Sequence, residues 1–274
     1  MDKNILEKFD LSGQVAVVTG GAGLLGSQFC QTLAGAGASV VCADADLKSA
    51  DELVDRLTTQ GMVVLPYQVD VTLPDENKGM ADFALSHFNR LDILVTCAAV
   101  DPKFDSTSPA QFNYRFENYP LALWQKTLDV NLTGSFLSAQ AAIPAMLKTG
   151  HGVVIMISSI YGMVAPDQKI YQSAGKSPQY KPADYPVTKS AILELVRYLA
   201  AYYAGQPIRV NALSPGGVYN GHSDEFIRNY SAHSMLGRMA GVEELNGSLL
   251  FLASPASSYM NGANLVVDGG WMAW

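Results

Sequence analysis

Gln14-Val15-Ala16-Val17-Val18-Thr19-Gly20-Gly21-Ala22-Gly23-Leu24-Leu25-Gly26 decides the fold of this chain. Val15 to Val18 form the apolar run that a strand buried on both faces requires. The run ends in a glycine-rich turn, and a helical pattern follows to about Gly35. Glycines there permit a tight turn and let backbone N–H groups approach a pyrophosphate at the helix N-terminus. A tight strand-to-helix turn without a ligand is the plainer alternative.

Outward from that stretch the alternation continues. A second strand, Ser39 to Ala43, ends at Asp44. An acidic side chain at that tip can accept both ribose hydroxyls of an adenosine and would repel a 2′-phosphate, which favours NAD over NADP. The alternative is that Asp44 or Asp46 caps the helix from about Leu47 to Gln60. Further strands are expected at 62–69, 91–96, 152–158, 208–213 and 264–267. A helix is expected from Pro74, with others over 121–147, 186–204 and 242–253. Strand–helix alternation from end to end predicts an α/β fold: a doubly wound parallel sheet in three α/β/α layers, read as one domain over 1–274.

Tyr185-Pro186-Val187-Thr188-Lys189 sets a phenol and an ammonium one turn apart at a helix start. An ammonium beside a phenol favours the phenolate and lowers its pKa. Pro186 suits the first helical position, and a residue before proline avoids the α conformation, so Tyr185 is expected at the cap. A packed ring beside a solvated amine is the alternative.

Composition narrows the function. Of 274 residues, 49% are hydrophobic and 16% charged, so the chain folds and is not disordered. A net charge of −7 argues against nucleic acid and against an anionic membrane surface as partners. Cys30, Cys42 and Cys97 have no paired metal spacing and read as reduced thiols. With no apolar N-terminal run and no membrane-spanning stretch, the expected location is cytoplasmic. His87, His151, His222 and His233 are scattered, which argues against a metal site.

In order along one chain, these motifs resemble the short-chain dehydrogenase/reductase family, mainly its classical type. The matches are the glycine loop, Asp44, Asp70-Val71, Asp129-Val130-Asn131-Leu132-Thr133-Gly134, Ile157-Ser158-Ser159, Tyr185…Lys189, Asn211 to Val218, and Val267-Asp268-Gly269-Gly270. The resemblance implies a Rossmann fold and a catalytic set of Ser159, Tyr185, Lys189 and Asn131. In it Tyr185 is the proton donor or acceptor, and Ser159 hydrogen-bonds the substrate oxygen. Lys189 holds the nicotinamide ribose and lowers the tyrosine's pKa, and Asn131 helps hold a relay water. It also implies cofactor contacts from Gly20, Leu24, Leu25, Asp44, Asp70, Val71, Ala98, Tyr185, Lys189, Pro215 and Val218. Asn131 as a kink residue and Ser159 as a turn hydroxyl are the structural alternatives.

The departures are informative. Leu24 stands where a glycine is usual, so Thr19, Gly20, Gly23 and Gly26 are similar to the family's extended branch, which includes sugar-nucleotide epimerases. Thr96-Cys97-Ala98-Ala99 replaces the usual Asn-Asn-Ala-Gly, so sheet-stabilising asparagine contacts must be replaced. Asn220 stands where a threonine is common. Insertions fall near 100–120 and 160–184, the second between Ser159 and Tyr185. They carry Asp101, Lys103, Asp105, Arg115 and Glu117, then Tyr161, Asp167, Lys169, Tyr171, Lys176, Tyr180, Lys181 and Asp184. Charge and tyrosine in loops at strand ends predict a polar, sugar-like substrate, neutral or anionic. Solvated covers or subunit contacts are the alternative.

The expected activity is NAD-dependent interconversion of an alcohol and a carbonyl; an epimerase-like enzyme with tightly held NAD, or a silent binding protein, is the alternative. Helices 121–147 and 186–204 are apolar beyond one stripe, which predicts burial beyond the domain core; the family resemblance implies that they pair in a homodimer or homotetramer. The tail Trp271 to Trp274 is expected to pack on a neighbour or on its own sheet edge.

Overall fold

The computed structural model describes residues 4–101, 114–172 and 178–274. Its strands are β1 (Val15–Thr19), β2 (Ser39–Asp44), β3 (Val64–Gln68), β4 (Ile93–Thr96), β5 (Gly152–Ile157), β6 (Ile208–Pro215) and β7 (Asn264–Val267). All pair in parallel, in the order β3-β2-β1-β4-β5-β6-β7.

Strand side chains alternate between two cores, because successive residues point to opposite faces. Val15, Val17, Leu94, Val154 and Met156 meet Met80, Ile143, Met146, Ile192 and Val196. These come from α3 (Pro74–Phe88), α5 (Gly134–Thr149) and α6 (Asp184–Tyr202). Ala16, Val18, Ile93, Val95 and Ile155 face Phe29, Leu33, Leu57, Leu249 and Leu252. Those belong to α1 (Leu24–Gly35), α2 (Leu47–Thr58) and α8 (Asn246–Ala253). Asp92 is buried at the N-terminal end of β4, accepting from Val15 N–H at 2.8 Å and from Arg90 Nε and Nη2.

Three expectations change. The helix over 121–147 is α4 (Leu121–Leu128), a π-helical turn (Asp129–Thr133) and α5. Single π turns occur where a side chain is aimed out of register, and Asn131 is that residue here. The segment 242–253 opens with a 3-10 turn (Val242–Leu245) before α8. Tyr185 is inside α6, not at its cap: the helix starts at Asp184, whose carboxylate accepts Tyr185 N–H at 2.7 Å. A first-turn N–H has no intrahelical partner, so Pro186 fits two residues later than expected. One further helix, α7 (Asp224–Ser231), lies in a segment with no expected element.

Candidate active site

The sheet register gathers the motifs at one edge. Thr19 is level with Ala43 and with Thr96, Thr96 with Met156, and Ile157 with Leu213. The residues just beyond are therefore neighbours: Gly20, Asp44, Ala98, Ser159 and Pro215. Chain order reverses around β1, flanked by β2 and β4, and this is where open α/β sheets hold ligands.

The glycine turn has the form of a cradle. Gly20 has φ +64, and a Cβ there would lie 2.7 Å from the Ala98 backbone. A Cβ on Gly26 would lie 1.9 Å from the Gly20 oxygen. Gly23 caps α1 without a side-chain hydrogen bond, so first-turn N–H groups stay open to an anion. Leu24 is exposed and Leu25 half-buried at the same turn. Asp44 accepts Ala22 N–H and Asp46 N–H, each at 3.0 Å, while Asp46 accepts Ser49 N–H and caps α2. Of the two acids, it is Asp46 that caps α2. These features fit a dinucleotide: open donors for a pyrophosphate and a carboxylate for a ribose.

Beyond β3, Asp70 is exposed, with its carboxylate accepting from Thr72. Val71 is buried against Gly134. Pro215 is buried, and Val218 is half-buried, bridging Ala240.

Ser159, Tyr185 and Lys189 meet beyond β5. Lys189 donates to the Ile157 carbonyl at 2.8 Å, and the Ser158 hydroxyl donates back to the Lys189 carbonyl at 2.7 Å. That lacing needs Gly162, where a Cβ would lie 2.6 Å from the Lys189 oxygen. Ser159 accepts Tyr161 N–H at 3.2 Å, so it is also the turn hydroxyl of the structural alternative.

The electrostatics correct an expectation. The net shift of the Tyr185 pKa is upward, not downward. Burial of the phenol pushes it well up, and the Asp101 carboxylate adds to that; a hydrogen bond with Ser159 works the other way. The lysine is 5.6 Å from the ring centroid, its nitrogen is committed to Ile157, and burial holds it down at about 8. An ammonium at that distance, already bonded elsewhere, is a weak counterweight to desolvation. The Cys97 thiol is pushed up to about 12 by burial, which leaves it an inert neighbour.

Asn131 is buried in the π turn. It accepts Val100 N–H at 2.8 Å, donates to the Val100 carbonyl at 3.1 Å and donates to Thr188 at 3.3 Å. It therefore latches the loop segment after β4 to α6. Thr19 supplies other contacts there, accepting Cys97 N–H at 3.1 Å.

The second insertion packs as its own small core. Ile160, Tyr161, Ile170 and Tyr171 meet Tyr230, Met239 and Trp271. The Tyr171 phenol donates to that of Tyr161 at 2.8 Å. The tail folds onto this core, with Trp271 edge-on to Tyr161 and stacked on Tyr230. Between residues 114–119 and 165–186 lies a cavity of about 440 Å³, lined by Arg115, Glu117, Tyr119, Tyr180 and Lys181 among others. Lys103, Asp105 and Lys176 lie outside the described residues. Among the described residues no cluster of metal-ligating side chains exists, and no helix is long and apolar enough to cross a membrane.

Sequence reading gave no role to Lys181. Its ammonium lies 4.2 Å from the Tyr185 ring centroid and pairs with Asp101. The only signal was its place in a charged insertion.

A family model described as enoyl-(acyl carrier protein) reductase matches residues 21–272. The cis-4-hydroxycyclohexanecarboxylate dehydrogenase of Sinomonas cyclohexanicum is 32% identical over 265 residues, covering 95% of this chain and 97% of that one. The chain belongs to the short-chain dehydrogenase/reductase family. The 7alpha-hydroxysteroid dehydrogenase of Escherichia coli K12 is 29% identical over 265 residues, covering 95% and 94%. A gluconate 5-dehydrogenase from Burkholderia cenocepacia J2315, solved with NADP and tartrate, superposes with a TM-score of 0.86 at 28% identity, covering 99% and 100%. As a short-chain dehydrogenase/reductase the chain is an NAD(P)-dependent oxidoreductase acting on CH–OH groups of small molecules.

Proposed function

We propose that the protein interconverts an alcohol and a carbonyl on a small, polar, sugar-like substrate, with NAD as cofactor and Tyr185 as general acid/base. The convergence of Ser159, Tyr185 and Lys189 beside the Gly20 cradle carries this reading. NAD, when bound, supplies or accepts the hydride. Tyr185 gives a proton to the substrate oxygen or takes one from it, and Ser159 donates a hydrogen bond to that oxygen. Lys189, mostly charged at neutrality but with its pKa drawn down by burial, is placed to relay the proton and hold the ribose; Asn131 keeps the π turn and α6 in register for it.

The preference for NAD rests on Asp44, whose carboxylate faces the glycine turn; Lys48, the first cation after it, is turned to Glu52 at 3.9 Å. The polar substrate rests on the Arg115, Glu117, Tyr180 and Lys181 lining of the cavity, and relatives named for hydroxy-acid and gluconate substrates agree with it. The chain is read as one domain of the classical type, located in the cytoplasm, where its cysteines stay free. Exposed Leu121, Phe136, Tyr198 and Tyr202 on α4, α5 and α6 support assembly as a homodimer or homotetramer, which light scattering would measure.

The test is NADH formation at 340 nm from NAD across sugar alcohols, aldoses and aldonic acids. Tyr185→Phe should lose ~10²- to 10⁴-fold in kcat while still binding NADH. Retained turnover in that variant would overturn the assignment.

A further inference from the structure

Lys181 sits in the insertion with its side chain only 6% exposed. Its peptide is clamped on both sides by Gln168, whose Oε1 accepts Lys181 N–H at 2.9 Å and whose Nε2 donates to the Lys181 carbonyl at 3.2 Å. The ammonium is thus held 4.2 Å from the centre of the Tyr185 ring. Its counter-ion, Asp101, is a different kind of partner. It comes from the loop after β4, and its side chain is 48% exposed. The lysine is fixed and buried; the carboxylate is at the surface. A buried ammonium needs an anion, but a half-exposed carboxylate is readily rehydrated.

The groups facing Tyr185 are Lys181, Lys189, Asp101, Ser159, Tyr161 and Cys97. Two are cationic nitrogens and one is a carboxylate. Lys181 also lines the cavity between the insertions, with Arg115 in the same wall. Tyr185 does not line that cavity, but its neighbours Lys181 and Pro186 do, so Lys181 stands between the cavity and the Tyr185 ring.

We propose that Lys181 is a specificity-determining residue that binds an acidic group of the substrate, a carboxylate or a phosphate, in the place Asp101 occupies in this structure. This rests on the site assignment above and deepens it. A charge-assisted hydrogen bond to a buried ammonium separates an acid from its neutral analogue by ~10- to 100-fold.

The test is calorimetric binding of D-gluconate, D-glucose 6-phosphate and sorbitol to the protein, with and without saturating NADH. NADH affinity is followed separately by nicotinamide fluorescence. At least one acid should bind, and more tightly than sorbitol; which one separates carboxylate from phosphate. Lys181→Met should weaken that acid ~10- to 100-fold with NADH affinity unchanged, and Lys181→Arg should restore part of the loss. Asp101→Asn removes the competing carboxylate and should tighten the acid, a gain that a folding defect would not produce. The proposal is overturned if neither acid binds, if sorbitol binds as well, or if Lys181→Met leaves acid binding intact. It is likewise overturned if Asp101→Asn leaves the affinity unchanged. Loss of NADH binding by the wild type would instead sink the cofactor assignment, because acid binding is read without it as well.

Discussion

The Asp44 carboxylate accepts the Ala22 N–H at 3.0 Å, tying the tip of β2 to the glycine turn. A group in that position meets whatever the turn holds. Asp44→Ala should weaken NADH by ~10- to 100-fold and NADPH much less, since only the unphosphorylated ribose loses a charged acceptor. Asp44→Arg should reverse the preference. Fluorescence titration with both cofactors checks it; equal losses for the two would show that Asp44 only braces the loop.

Gly26 and Gly150 should respond very differently to alanine. A Cβ at Gly26 meets the Gly20 oxygen at 1.9 Å, and backbone cannot step aside cheaply. Gly26→Ala should cost at least ~2 kcal/mol and abolish NADH binding. Gly150 has φ +72 with nothing within 4 Å, so its alanine variant should lose only the left-handed penalty of ~1–2 kcal/mol. Urea unfolding of both separates clash from strain.

Lys189 should leave a signature in stability against pH. Burial depresses its folded pKa to about 8, against an ordinary ~10.4. Between those values the unfolded chain binds the extra proton, so stability rises with pH through the window, by at most ~3 kcal/mol. Tyr161, Tyr171 and Tyr185, pushed up by burial, act in the opposite sense above about pH 10, where unfolded tyrosines ionise. Wild type should therefore gain on Lys189→Met between about pH 8 and pH 10. A constant difference would mean that the amine is solvated.

Asn131 can be dissected by charge. Asn131→Ala leaves the Val100 N–H and carbonyl unpaired and should cost ~1–3 kcal/mol for each. Asn131→Asp keeps an acceptor for the N–H but loses the donor, so it should lie between wild type and alanine in thermal unfolding. If aspartate and alanine were equal, the latch would not depend on both bonds.

Most of the fold was legible because strand and helix periods are local. Val15 to Val18 alternate between two cores whichever helices cover them, and β7 falls at its expected bounds. The boundaries that moved did so for reasons outside the local pattern. Asp184 extends α6 back past Pro186 by bonding Tyr185 N–H, and the π turn at Asn131 is held by Val100 and Thr188, far away along the chain.

The site residues were named from ordered motifs, and their meeting at one sheet edge follows from parallel register. Their energetics were not readable in the same way. A tyrosine and a lysine four positions apart carry the same local electrostatics in every helix, yet here burial outweighs the lysine and raises the phenol. Burial is a property of everything packed around a group. Lys181 and Asp101 show the same division: by itself the sequence determined two charged loops at strand ends. Only the tertiary structure brought one lysine over Tyr185 and gave it a half-exposed partner 80 positions away. Pairing across such a separation depends on how the sheet closes the chain, and no local period encodes it.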